Sequence, residues 1–159
     1  MRIVGIDPGT NRIGYALLDG TGIAPRLIAA ETITIAGRQH PGSRLDLLAQ
    51  ALTERLDRDR PHGVAIEKIF FSKNAKTALA VAEARGVILL TAWRHVPSIW
   101  EYAPLEVKMA IAGYGRLDKA AVRRAVAALL PDARLPAGDD AIDAIAIALT
   151  ALATERFSA

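Results

Sequence analysis

The chain opens on a short apolar run, Arg2 to Asp7 (RIVGID), broken by Pro8-Gly9. Such a run, closed by turn residues, predicts a strand followed by a turn. Ile13 to Asp19 (IGYALLD) predicts a second strand, ended by Asp19-Gly20 and Thr21-Gly22. Arg26 to Ile35, rich in Ile and Thr, predicts a third. Three strands with short links imply an antiparallel meander. The period then changes. Leu45, Leu48, Leu52 and Leu56 recur at three- and four-residue spacing, which predicts an amphipathic helix over Pro41 to Arg60 with Ser43 as its N-cap. Gly63 to Glu67 (GVAIE) predicts a buried strand, Asn74 to Ala92 an alanine-rich helix, and Val96 to Tyr102 a strand. Pro104 to Ala112 and Asp118 to Leu130 predict two helices parted by Gly113-Tyr114-Gly115, and Asp139 to Phe157 a last one. Strands come first and then alternate with helices, so the expected fold is α/β, with a mixed sheet flanked by helices.

Composition narrows this only at the margins. The 159 residues fit one domain, read as spanning residues 1–159. Hydrophobic residues at 52% against charged at 23% argue for a packed core rather than disorder. The absence of cysteine removes disulfides, thiolate zinc sites and cysteine nucleophiles, and suits a reducing, cytoplasmic setting. Neither a signal peptide nor a membrane span is expected. A net charge of +3 permits an anionic partner without demanding one.

The chemistry lies in carboxylates that the pattern brings together. Asp7 ends the first predicted strand and Glu67 the fourth. A strand entered through a helical crossover runs parallel to one already in the sheet, so the two acids are expected side by side at one sheet edge. Asp140 and Asp143, three residues apart, share one face of the last helix, whose remainder (AIAIALTALA) is built to lie flat on the sheet. Four carboxylates in one place repel, and need protons or a cation for relief. Oxygen donors select Mg²⁺ or Mn²⁺ over zinc. Two such ions ~3.5–4 Å apart form the arrangement that activates water and stabilises the leaving oxygen in phosphodiester cleavage. Each acid alone has a plainer reading. Asp7-Pro8-Gly9-Thr10 suits a type II turn, Glu67 a solvated strand end, Asp139 and Asp140 N-caps, and Asp143 a helix first turn.

Several stretches resemble the RuvC family of Holliday junction resolvases. They are Gly5-Ile6-Asp7-Pro8-Gly9-Thr10 with Gly14-Tyr15, and Ala65-Ile66-Glu67-Lys68-Ile69-Phe70 with Lys73-Asn74-Ala75. Ala84-Arg85-Gly86-Val87, Tyr102-Ala103-Pro104 with Val107-Lys108 and Gly113, and Asp140 to Ala148 follow in the family's order. The resemblance implies an RNase H-like fold with a five-stranded sheet and a homodimer that nicks two opposing strands of a four-way DNA junction. It implies 5′-phosphate and 3′-hydroxyl ends, and a role in recombination and repair beside the RuvA–RuvB branch-migration proteins. The family's metal ligands and catalytic acids carry over to Asp7, Glu67, Asp140 and Asp143, with two Mg²⁺ ions and Mn²⁺ able to substitute. At the third of these positions Asp139 is the adjacent alternative.

DNA contacts are expected from Lys73 and Lys76, which follow Glu67, and from Lys108 and Lys119, which match basic positions the family uses near its site. Arg116 and Arg123 are read either as phosphate contacts or as a solvated helix face. Phe70 and Phe71 are adjacent, so in an extended segment only one fits a core easily and the other is free to stack on a base. The alanine-rich helix is read as the dimer contact or as packed on its own sheet. His40, His62 and His95 lack metal-ligand spacing. Three rivals compete: a phosphotransferase of the actin and sugar-kinase kind, a RuvC-like ribonuclease acting on ribosomal RNA precursors, and a catalytically silent junction-binding protein. The first lacks its second phosphate loop here, and the last gains nothing from a repulsive anionic pocket.

Overall fold

The structure is a computed structural model that describes residues 1–36, 40–69 and 75–155. Five strands form one sheet: β1 (Arg2–Asp7), β2 (Arg12–Thr21), β3 (Ala24–Thr34), β4 (Gly63–Glu67) and β5 (Ser98–Tyr102). Their order across the sheet is β3-β2-β1-β4-β5. The first three make the expected antiparallel meander, while β4 pairs parallel with β1 and β5 parallel with β4. The helices are α1 (Pro41–Asp59), α2 (Ala75–His95), α3 (Pro104–Ala112), α4 (Lys119–Leu129) and α5 (Asp139–Thr154). This is the mixed five-stranded sheet flanked by helices that the sequence predicts.

Alternation along the central strands divides the core in two. Val4, Ile6, Ile13, Tyr15, Leu17, Val64 and Ile66 face α1 and α2 and pack on Leu48, Leu52, Leu56, Ala84 and Ile88. Ile3, Ala16, Leu18 and Ala65 face α5, whose residues Ala141, Ile142 and Ala144 to Leu152 are all buried. Helices α3 and α4 cover the outer side of α5 through Val107, Ile111, Val122 and Val126. The last helix is therefore buried on both sides, which explains its lack of a polar stripe.

The floor beneath α5 is made of small residues. A methyl group on Gly5 would collide with the Ala144 carbonyl and come within 2.7 Å of the Ala148 nitrogen. Backbone approach this close is available only to glycine. On the opposite face the end of α1 is tied to β2 by charge and hydrogen bonds. Tyr15 donates to Asp59 Oδ2 at 2.8 Å, and Arg58 donates to both oxygens of the same carboxylate.

Two expected caps differ from those observed. Helix α1 is capped by His40, whose Nδ1 accepts from the Gly42 N–H at 3.1 Å, and not by Ser43. Pro41 has its φ fixed for the first helical position, so the helix begins there and the cap falls one residue earlier. Helix α5 has Gly138 at its N-cap with no side-chain cap bond, which moves Asp139 and Asp140 from the cap into the first turn.

Candidate active site

Asp7 and Glu67 close neighbouring parallel strands. The ladder pairs Ile6 with Ile66, so the two acids follow at the same level of the sheet. Both fall on the alternation set of Gly5 and Ala65, which faces α5. The first turn of α5 lies over this edge. Gly14 pairs with Asp7 across the β1–β2 ladder, and the Asp140 carbonyl packs directly on its α-carbon. One turn of helix then brings Asp143 over the same edge. Glu67 and Asp143 line a small cavity of ≈ 40 Å³ together with Lys108, Val107, Ile111 and Val122.

The electrostatics show how closely these acids meet. Asp7 is pushed up to about 8, chiefly by burial and then by Glu67, Asp143 and Asp140, with Lys119 opposing. Glu67 is pushed up to about 7 by burial and by Asp143, with Lys108 opposing. Asp143 is also raised, first by burial, while Lys119 and Lys108 pull it down and Asp139 and Asp140 push it up. Each half-buried carboxyl resists losing its proton, first because it is taken out of water and then because neighbouring acids repel the charge. The nearby lysines do not offset this.

Basic side chains ring the edge. Arg12 donates from Nε and Nη2 to Asp140 Oδ2 at 2.9 and 2.7 Å. Lys119 is exposed and donates to Asp139 Oδ2 at 3.1 Å. Asp139 is thus exposed and turned to α4, and Asp140 is the member of the pair that influences Asp7. Lys108 is half-buried on α3 beside Glu67 and Asp143. Arg123 donates to the carbonyls of Pro136 and Ala137 at 2.8 and 2.7 Å, bracing the loop that enters α5. Arg116 is exposed. Phe70, Phe71 and Lys73 lie outside the described residues. Lys76 lies in the first turn of α2, and its side chain is likewise not described. Arg12 and the bracing role of Arg123 carry no signal in the hydrophobic pattern. Both depend on contacts between segments far apart in the chain.

The donor set suits a hard divalent cation. It offers carboxylate oxygens, and the basic side chains around it leave Asp7, Glu67 and Asp143 reluctant to ionise. Among the described residues no three of these side chains converge closely enough to grip an ion as they stand. Larger clefts run along β3 and at the far end of α5, but they hold no comparable group of acids.

Residues 3–151 match the family model described as crossover junction endodeoxyribonuclease RuvC. The chain belongs to the RuvC family. The crossover junction endodeoxyribonuclease RuvC of Moorella thermoacetica is 44% identical over 94% of this chain and 89% of its own length. That of Rubrobacter xylanophilus is 42% identical over 99% of this chain and 88% of its own. Among solved structures, T. thermophilus RuvC in complex with Holliday junction substrate is 33% identical, with a TM-score of 0.86 over 94% of this chain and 92% of that one. The yeast mitochondrial Holliday junction resolvase Ydc2, at 14% identity and a TM-score of 0.71, shares the fold. The RNase H-like architecture expected of a RuvC member is therefore the one observed. No described helix is long and apolar enough to cross a membrane.

Proposed function

We infer that this RuvC-family chain is a Holliday junction resolvase, a crossover junction endodeoxyribonuclease acting in DNA recombination and repair. The observation that carries this reading is the near full-length match to a RuvC solved on its Holliday junction substrate. The meeting of Asp7, Glu67 and Asp143 at one sheet edge supports it. Neither a ribonuclease acting on ribosomal RNA precursors nor a silent junction binder is favoured.

We propose further that the whole chain, residues 1–159, is one nuclease domain whose activity depends on divalent metal. Asp7, Glu67, Asp140 and Asp143 are the proposed ligands and catalytic acids, and two Mg²⁺ ions, or Mn²⁺ in their place, are the proposed cofactors. Bound there, such ions would lower the pKa of an attacking water and stabilise the departing 3′ oxygen. The chain's own part is to hold the carboxylates on two rigid strands and one buried helix, so that the scissile phosphate meets a fixed frame. Lys108, Lys119, Lys73 and Lys76 are proposed phosphate contacts, and Phe70 and Phe71 proposed stacking residues where the junction opens.

A homodimer is proposed through α2. Its outward side carries Leu79, Leu90 and Trp93, which are 65%, 51% and 73% exposed. Gly86 sits between them with open space above its α-carbon. A smooth apolar stripe of this kind suits a second copy of the same helix crossing at close range. Two sites facing opposing strands of a two-fold junction follow from that symmetry. RuvA–RuvB as partners and a cytoplasmic setting complete the proposal, by likeness to the family.

The test is Asp7→Asn. It should keep junction binding in Ca²⁺ and lose cleavage in Mg²⁺ by at least about a hundredfold, since even residues behind a metal ligand cost ~10–100-fold when removed. Cleavage at the wild-type rate would remove Asp7 from the site.

A further inference from the structure

Arg12 is the last residue of the turn that starts at Asp7, and it opens β2. Its guanidinium reaches across to the first turn of α5 and gives two hydrogen bonds to a single oxygen of Asp140. This is a poor place for a permanent cation. It lies at the positive end of a helix, and the Arg12 side chain is 60% exposed. Among the described residues, the Asp140 carboxylate is what holds it. The same carboxylate is one of the four proposed ligands, and Arg12 already takes its Oδ2 through both hydrogen bonds.

We propose that Arg12 is a latch on Asp140. It occupies that carboxylate until a divalent cation arrives, and the cation completes its site only when the guanidinium lets go. The inference rests on the metal-dependent reading above and adds a positioning residue to it. Arg12 acts through Asp140 and touches no reacting atom. The latch makes metal loading a competition between a monovalent cation tethered to the protein and a divalent one from solution. The exposed pair is weak enough to be displaced and strong enough to keep Asp140 from swinging free.

The test is Mn²⁺ binding to the DNA-free protein, read as free Mn²⁺ by electron paramagnetic resonance. Arg12→Gln should bind Mn²⁺ about three- to fivefold more tightly than wild type, because no ion pair has to be broken first. In an Asp140→Asn background the same change should have almost no effect, since the coupling runs through that carboxylate. A brace that only held α5 in place would give the opposite sign, with weaker binding on removal. Mn²⁺ binding that Asp7→Asn abolishes but Arg12→Gln leaves unchanged or weakens would overturn the latch and leave the metal site standing. A gain that persists in the Asp140→Asn background would show a long-range charge effect, and would also overturn it. A wild type that takes up no Mn²⁺ would overturn the metal reading and the latch with it.

Discussion

Gly14 stands opposite Asp7 in the β1–β2 ladder, and the carbonyl of Asp140 rests on its α-carbon. A methyl group at this position would collide with that carbonyl and lie 3.0 Å from the Asp7 β-carbon. The absence of a side chain on Gly14 therefore sets how deeply α5 lies on the sheet, and with it how close Asp140 comes to Asp7. Gly14→Ala should cost about 1–3 kcal/mol of stability by overpacking. It should slow cleavage on the order of 10²-fold by displacing the acids. Urea unfolding and single-turnover cleavage check the two numbers. Normal cleavage by a destabilised variant would show that the depth of α5 is fixed elsewhere.

The acids make stability depend on pH in the metal-free protein. Asp7 is held at about 8 and Glu67 at about 7, against ordinary values of 3.8 and 4.5. The folded chain thus binds these protons more tightly than the unfolded chain does. Its stability is greatest at the acid end of this range and falls as pH rises from about 4 to about 8. Asp7→Asn removes the strongest contributor. At about pH 8 in EDTA it should melt above wild type by roughly 4 °C or more, since ~1 kcal/mol shifts a domain of this size by ~2–4 °C. The gap should close towards pH 5 or on adding Mg²⁺. Calorimetry across this range would contradict the account if the two proteins melted together at the alkaline end.

Arg123 answers a question that the sequence leaves open. It lies one helical turn from Lys119, which suggests a shared phosphate-binding face. Its guanidinium is instead committed to the Pro136 and Ala137 carbonyls. Arg123→Ala should cost about 1–2 kcal/mol of stability through the lost charge-assisted bonds. It should leave the salt dependence of junction binding unchanged, whereas loss of a phosphate contact would reduce the slope by about 1. Fluorescence titration at several salt concentrations separates the two.

The α2 stripe makes the dimer testable without DNA. Trp93→Glu and Gly86→Arg each place charge or bulk on an exposed apolar surface that the monomer's own core does not use. Both variants should fold with wild-type melting of the monomer and run as monomers in light scattering. They should also lose coordinated cutting of paired strands. A dimer that survives both changes would move the interface elsewhere.

Much of this architecture is legible in the chain because its signals are local. β1, β4 and α3 begin and end where apolar runs meet Pro, Gly or a charge, and those limits coincide with the observed ones. β2 runs past its apolar pattern at both ends, and β3 starts two residues before its own and ends at Thr34, one residue short of it. Their hairpin continues as backbone pairing through Asp19, Gly20 and Thr21, where hydrophobicity no longer marks it. The position of Asp7 beside Glu67 follows from crossover topology, and that of Asp140 beside Asp143 from helix spacing. The Arg12–Asp140 and Arg123–Pro136 contacts were not legible. They join segments whose approach is decided by how α5 and α4 dock, and an arginine in a turn looks the same whether or not a partner waits across the fold.

On this reading the sheet edge of each subunit in a homodimer cuts one of two opposing strands of a four-way junction, with the help of divalent metal. The most direct measurement is a denaturing gel of a synthetic mobile junction, each strand labelled in turn, with Mg²⁺, Mn²⁺ or Ca²⁺, and with linear duplex and RNA–DNA hybrid alongside. Paired nicks are expected at symmetric positions, on the junction alone and with Mg²⁺ or Mn²⁺ only. Cleavage of the hybrid in preference to the junction, or cutting that persists in EDTA, would contradict this reading.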